Sequence, residues 1–218
     1  MTPDLFSAMA KAVVDGDPET AAGLARTALE TRIPPAEALE KGFIPGIQTV
    51  GELWESGDYF LPELIASAGA MKAATAILRP VLEASGSSVA GTGTVVIGTV
   101  EGDIHDIGKN LVSAMLTANG FKVVDLGADV KLPDFIEAAE KSSADLICLS
   151  ALLTTTMLGQ RRLIELLTDR GLRGRFKVLV GGAPTSRKWA QEIGADGYGE
   201  SAPAAVREAL ALLGKAKS

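Results

Sequence analysis

The sequence has very few of the side chains that bind metals or form disulfides: one cysteine and one histidine among 218 residues. A single cysteine, Cys148, excludes an intramolecular disulfide and any cysteine cluster for zinc or iron–sulfur chemistry. Its apolar neighbours indicate a core residue. A single histidine, His105, is too few for a metal site built from protein side chains alone, which needs three or four ligands.

Positive charge is also scarce. The chain has 21 Lys and Arg against 27 Asp and Glu, a formal net charge of -6, so the basic surface that a phosphate backbone requires is missing. The N-terminus lacks a basic segment followed by an apolar one, and no apolar run approaches the roughly 18 to 20 residues of a membrane span. We therefore expect a cytoplasmic protein with neither nucleic acid nor membrane as a partner.

What is present is ample apolar material, 47% of the residues, enough for a buried core. Residues 1–84 show helical patterns only. Asp17 is the predicted N-cap of one helix and Pro18 its first helical residue, and similar signals predict helix starts near Pro35 and Leu61. One stripe along the last helix is formed by Leu64, Ile65, Ala68, Met71, Thr75 and Leu78. We expect a four-helix-bundle cap domain.

Residues 85–93 are small, polar and rich in glycine, which is typical of a linker. Residues 94–218 then alternate short β-branched runs with helical stretches. The predicted strands are Thr94–Val100, Phe121–Leu126, Leu146–Ser150, Lys177–Val180 and a weak fifth near Gly197 and Tyr198. The predicted helices are Gly108–Asn119, Pro133–Lys141, Thr156–Arg170, Ser186–Ile193 and Ala202–Leu213. This alternation predicts an α/β fold, a Rossmann- or flavodoxin-like doubly wound parallel sheet of five strands.

Three loops follow the first, third and fourth strands, at residues 101–108, 150–156 and 181–184. In an open parallel sheet these loops gather at one end, where ligands bind. The first loop carries His105. A macrocycle brings four equatorial nitrogens and needs one ligand from the protein, so a single histidine suffices for a metal bound in that way.

The spacing of these loops resembles a known signature. Three motif parts together are similar to the cobalamin-binding pattern of methyltransferases and mutases. They are Asp103-x-His105-x-x-Gly108, then Ser150-x-Leu152 after 41 further residues, and then Gly181-Gly182 after 28 further residues. The longer run Gly-Asp-Ile-His-Asp-Ile-Gly-Lys-Asn resembles the methyltransferase branch, in which a helical cap precedes the sheet domain, as in the cobalamin-binding module of methionine synthase. The resemblance extends from about Pro35 to Leu213.

The resemblance implies that His105 is the metal ligand and binds cobalt from the lower axial side. It also implies that Asp103 holds the other imidazole nitrogen of His105, and that the two residues act together in catalysis. It implies hydroxyl groups near the nucleotide tail and the His–Asp pair from Ser150, Thr154 and Thr156. The cofactor-binding residues that it implies are Gly102, Asp103, Ile104, His105, Asp106, Ile107, Gly108, Ser150, Leu152, Thr154, Thr156, Gly181, Gly182, Ala183 and Tyr198.

In this family an aromatic and an aliphatic cap residue shield the upper face of the corrin. Phe60 and Leu64 match best, with Tyr59 and Trp54 as alternates. Simpler interpretations remain open. Phe60 and Leu64 could be cap core, the threonines of the 150–156 loop could cap a helix, and Gly181-Gly182 and Tyr198 could lie in ordinary turns.

The resemblance implies a methyl carrier, not a complete enzyme. Its partners would be a substrate-specific methyltransferase that loads the corrinoid, an acceptor-side methyltransferase acting on tetrahydrofolate or coenzyme M, and an iron–sulfur reductive activase. Three alternatives stay open: a cobalamin-dependent sensor or regulator, the small subunit of an adenosylcobalamin mutase, and a flavodoxin-like domain without a cofactor. Methylamines, methanol, methoxylated aromatics, betaines and methyl thiols are all possible methyl donors.

Overall fold

A computed structural model of the chain describes residues 2–84 and 92–215. The chain splits into two compact units, one of Met1–Ala90 with Thr117–Asn119 and one of Gly91–Leu116 with Gly120–Ser218. The linker expected at residues 85–93 falls on residues 85–91, outside the described part, and on Thr92 and Gly93, which precede the first strand.

The first unit is helical. It contains α1 (Thr2–Val14), α2 (Pro18–Glu30), α3 (Pro35–Glu37), a π-helical segment (Ala38–Phe43), α4 (Ile44–Ser56) and α5 (Leu61–Ala84). Asp17 caps α2, because its Oδ1 accepts hydrogen bonds from the backbone N–H groups of Glu19 and Thr20, both at 3.0 Å. The helical character predicted for this part of the chain is confirmed. The π-helical segment was not predicted, since it interrupts an otherwise continuous helical pattern only locally.

Helix α5 carries the main apolar stripe of this unit. Leu64, Met71 and Leu78 are buried at the predicted spacing. Ile65 was placed on the same stripe but is 58% exposed, because one residue along a helix is a rotation of about 100°. The segment Leu61–Leu82 is long and apolar enough to cross a membrane by length and composition, which the sequence analysis did not expect. A core helix with a buried stripe meets the same criteria.

The second unit alternates strands and helices as predicted. In chain order it contains β1 (Thr94–Thr99), α6 (Ile107–Ala118), β2 (Lys122–Asp125), α7 (Leu132–Ser142), β3 (Leu146–Ser150), α8 (Leu158–Asp169), β4 (Lys177–Gly181), α9 (Arg187–Ile193), β5 (Gly197–Gly199) and α10 (Ala202–Leu212). Helix α8 begins at Leu158 instead of Thr156, because residues 154–157 form a turn ahead of it.

The five strands are all parallel, in the order β2-β1-β3-β4-β5. The central strands are buried on both faces, as their continuous apolar runs predicted. In this order β2 lies on one side of β1 and β3 lies on the other side. The loops after β1 and β3 therefore border a crevice at the carboxyl end of the sheet. That crevice is where such sheets bind ligands.

Candidate functional site

His105 lies in the loop that joins β1 to α6. Its Nδ1 is 2.8 Å from Asp103 Oδ1, and the same oxygen accepts the backbone N–H of His105 at 3.1 Å. Because an ionised carboxylate only accepts hydrogen bonds, Nδ1 carries the proton and Nε2 keeps its lone pair. The His105 side chain is 48% exposed, so this lone pair is available to a ligand.

Asp103 is the fully buried centre of this network. Its second oxygen, Oδ2, accepts the Thr156 hydroxyl at 2.6 Å and the backbone N–H of Leu152 at 2.7 Å. Burial acts to raise the pKa of Asp103, but the hydrogen bonds from Thr156, Leu152 and His105 outweigh it and hold that pKa well below its usual range. Asp103 is therefore ionised at neutral pH, as an imidazole-orienting carboxylate must be.

Apolar side chains surround this polar pair on the loops. Among the described residues of the sheet unit, the exposed large hydrophobic side chains all lie in the loops after β1 and β3 or in the first turn of the helix that follows: Ile104, Ile107, Leu152, Leu153 and Leu158. Ile104 and Ile107, which flank His105, are 77% and 72% exposed. An exposed apolar patch around one polar group is typical of a ligand surface.

A row of small residues crosses the sheet at the same end. Thr99 is the register partner of Ser150, Ser150 of Gly181, and Gly181 of Gly199. Register partners in a parallel sheet share a face, so this row places no large side chain on that face. At Gly199 the space is taken by Ala205 of α10, because a Cβ there would lie 2.7 Å from the Ala205 Cβ. Thr99 is also tied to the histidine loop, because its hydroxyl donates to the carbonyl oxygen of His105 at 3.0 Å.

A close contact with the protein's own backbone explains why position 182 is a glycine. It has a φ of +121°, and a Cβ there would lie 1.8 Å from the carbonyl oxygen of Ala151. The sequence analysis assigned this glycine to cofactor approach, with an ordinary turn as the alternative, and the contact with Ala151 favours the turn. At Gly108, by contrast, a Cβ would meet nothing within 4 Å.

Several predicted residues have local roles or lie away from the His–Asp pair. Asp106 Oδ2 accepts the side-chain amide of Asn110 at 3.0 Å in the first turn of α6, while Thr154 and Ala183 are exposed. The Tyr198 hydroxyl donates to the carbonyl oxygen of Thr185 at 3.2 Å.

In the helical unit, Phe60 is 64% exposed and Leu64 is fully buried. The core interpretation is thus favoured for Leu64, and a role over the corrin stays a prediction for Phe60.

The sequence analysis missed three charged residues that hold the histidine loop and its helix. Lys109 is 2% exposed, and its Nζ lies 2.6 Å from both carboxylate oxygens of Asp125. Asp129 accepts the Gly102 N–H at 2.7 Å. Lys109 lies within the Gly-Asp-Ile-His-Asp-Ile-Gly-Lys-Asn motif, so the sequence gave a signal for it. Asp125 and Asp129 lie outside that motif, and only the strand order brings them to the loop.

Comparison with known proteins agrees with this geometry. A family profile described as a B12 binding domain matches residues 93–207, and a second profile of the same description matches residues 5–79. A corrinoid protein of Desulfitobacterium hafniense is 47% identical over 99% of this chain and 100% of its own length. Trimethylamine corrinoid protein 1 of Methanosarcina mazei is 48% identical over 93% of this chain and 94% of its own length.

Two solved structures extend the likeness to the fold. The methanol:cobalamin methyltransferase complex of Methanosarcina barkeri matches with a TM-score of 0.83 and 31% identity over 99% of this chain and 81% of that chain. A cobalamin-binding protein of Desulfitobacterium hafniense matches with a TM-score of 0.77 and 32% identity over 91% of this chain and 94% of that chain. The chain belongs to the family of corrinoid methyl-carrier proteins, and its cofactor is a corrinoid.

The residues of the site fit that cofactor. A corrin supplies four equatorial nitrogens and a macrocycle with largely apolar faces, and the loops offer one oriented imidazole nitrogen among exposed Ile and Leu side chains. Within the described residues, no group of three or more His, Cys, Asp or Glu side chains could hold a metal ion. The donor set therefore suits a metal that arrives with its own equatorial ligands.

Proposed function

We propose that this chain carries a methyl group on a bound corrinoid from a substrate-specific methyltransferase to a second methyltransferase that acts on tetrahydrofolate or coenzyme M. The observation that carries the proposal is the His105–Asp103 pair, with Nδ1 held at 2.8 Å and Nε2 left for the metal. The relatives named as trimethylamine and dimethylamine corrinoid proteins make a methylated amine the first substrate to test. The solved methanol:cobalamin methyltransferase complex supports a methyltransferase as the loading partner.

When bound, the corrinoid supplies a cobalt that accepts a methyl group and releases it again. His105 would bind that cobalt through Nε2, while Asp103 keeps the proton on Nδ1 and fixes the plane of the ring. Thr156 and the Leu152 N–H hold Asp103 in its charged form. The four residues act as one unit, since each orients the next.

The middle of the row of small residues, at Ser150 and Gly181, would receive the nucleotide portion of the corrinoid. Ser150 offers a hydroxyl in that row, and Gly181 offers a face without a Cβ. Phe60, exposed at the start of α5, is the candidate to shield the methyl-bearing face. Leu64 is not, because its side chain is buried in the helical unit.

Ligation by His105 can be tested directly, because it is the only histidine of the sequence. We would label the protein with ¹⁵N-histidine, bind cob(II)alamin and record the electron paramagnetic resonance spectrum. An axial ¹⁴N ligand splits each cobalt line into three and a ¹⁵N ligand splits it into two. Two-line splitting that is lost in His105→Ala is expected, whereas three-line splitting in the labelled protein would show that the cofactor keeps its own base.

The carrier role needs a separate test. The purified chain loaded with methylcobalamin and offered tetrahydrofolate or coenzyme M should not turn over without an added methyltransferase. With a methylated amine as the methyl donor, addition of both a methyltransferase specific for that amine and an acceptor-side methyltransferase should give repeated transfer. Turnover at enzyme-like rates by the chain alone would exclude the carrier role, and it would leave the ligation result untouched. An iron–sulfur activase is proposed as the third partner and should restore activity to oxidised protein.

A further inference from the structure

Asp129 lies in the loop between β2 and α7 and makes two hydrogen bonds to a single dipeptide of the histidine loop. Its Oδ1 accepts the backbone N–H of Gly102 at 2.7 Å, and its own backbone N–H donates to the carbonyl oxygen of Asp103 at 2.9 Å. These bonds hold the two ends of that dipeptide, namely the peptide group before Gly102 and the peptide group after Asp103. The direction of the Asp103 side chain, and with it the His105 ring, depends on the path of the dipeptide between them.

Asp129 is itself held in place on both sides. The backbone N–H of Thr99 donates to the carbonyl oxygen of Gly127 at 2.9 Å, and the N–H of Val130 donates to the carbonyl oxygen of Thr99 at 3.0 Å. The loop from Gly127 to Val130 is therefore fastened to the end of β1. Asp129 therefore links the histidine loop to the end of β1.

The backbone of Asp129 adopts a conformation that most residues avoid. Its φ is +55°, and outside glycine only Asn and Asp visit the left-handed region readily. This conformation lets the N–H and the side chain of one residue meet the same dipeptide. Glycine would adopt the same backbone without the carboxylate, and asparagine would adopt it while keeping an acceptor oxygen.

We infer that Asp129 is a positioning residue of the cofactor site, which sets the tautomer and orientation of His105 through the Gly102–Asp103 backbone. The inference rests on the proposed ligand role of His105 for its functional meaning. Its structural part can be tested without any cofactor.

The test compares wild type, Asp129→Gly and Asp129→Asn. In the protein without cofactor, a long-range ¹H–¹⁵N NMR spectrum at about pH 8, above the ordinary imidazole pKa near 6.5, reports which nitrogen of the single histidine carries the proton. Wild type and Asp129→Asn should show the Nδ1–H form. Asp129→Gly should show a mixture, with the ratio of Nδ1–H to Nε2–H reduced about threefold to tenfold, the usual net effect of losing one hydrogen bond.

With bound cob(II)alamin, the share of cobalt showing two-line ¹⁵N splitting should fall by a similar factor in Asp129→Gly and recover in Asp129→Asn. An unchanged tautomer ratio in Asp129→Gly would overturn the inference. Equal losses of the Nδ1–H form in both variants, in proportion to their losses of melting temperature, would overturn it as well. If the tautomer shifts as expected but labelled wild type shows no two-line signal, the positioning role stands and the proposed cobalt ligation fails.

Discussion

His105 Nδ1 and Asp103 Oδ1 are 2.8 Å apart, and this contact decides which nitrogen of the histidine can reach a metal. Asp103 keeps its charge although it is buried, because Thr156 and Leu152 donate to its other oxygen. An ionised acceptor holds the proton on Nδ1, so Nε2 is the nitrogen left for a metal. The orientation of the His105 imidazole is thus a consequence of how the Asp103 carboxylate is hydrogen-bonded.

Asp103→Asn should weaken cobalamin binding about 10-fold to 100-fold, the usual effect of removing the partner of a metal-binding histidine. Asparagine has only one acceptor oxygen, so its NH₂ group must face either His105 Nδ1 or the donors from Thr156 and Leu152. We would measure the dissociation constant by absorbance titration with hydroxocobalamin. Asp169→Asn, at the exposed end of α8 and outside the proposed site, is the matched control and should bind like wild type. Equal affinity of Asp103→Asn and wild type would contradict the orienting role.

Gly108→Ala should change protein stability and cofactor binding in opposite directions. Position 108 is helical and open, so alanine should stabilise the protein without cofactor by about 0.5 kcal/mol. If the corrin occupies that space, the added methyl group should weaken its binding. Thermal melts and cobalamin titrations of the same samples would separate the two effects. Unchanged affinity would show that the cofactor does not use the space beside Gly108.

Lys109→Met should destabilise the sheet unit by about 2 kcal/mol, below the roughly 3–5 kcal/mol of a fully buried pair because Asp125 is partly exposed. The substitution leaves the Asp125 carboxylate without its cation. Lys109→Met with Asp125→Asn should recover at least half of that loss, since no charge is then left unpaired. Urea unfolding of wild type, the two single variants and the double variant gives the coupling free energy between the two side chains. Strictly additive losses of stability would show that the two side chains do not interact.

Asp17 should contribute to stability at neutral pH, and this contribution should be lost at low pH. Hydrogen bonds from the hydroxyl and the N–H of Thr20 lower the pKa of this helix cap, so its carboxylate stabilises the folded state above the ordinary aspartate pKa of about 3.9. That contribution is lost as the pH falls through the lowered folded-state pKa. Asp17→Asn caps the helix without titrating. Its melting temperature should lie slightly below that of wild type at pH 7, and the difference should disappear near pH 2; a constant difference would refute the assignment.

Much of the fold could be predicted from the sequence because its signals are local. Strands and helices of the sheet unit were predicted to within about two residues, since apolar alternation and capping residues act over one or two turns. The errors were local as well. Ile65 was placed on the wrong side of α5, and the residues before Leu158 were taken as helix although they form a turn.

The sequence alone determined the order of strands and helices along the chain and, through its single histidine, the one candidate for an imidazole ligand. Only the tertiary structure decided which His105 nitrogen is free, that Thr156 and Leu152 satisfy Asp103, that Ala151 explains Gly182, and that Asp129 holds Gly102. Thr156 and Asp129 are 53 and 27 positions from the residues that they hold. Such pairs are made by strand order and register, which depend on the packing of the whole sheet and leave no periodic pattern in the chain.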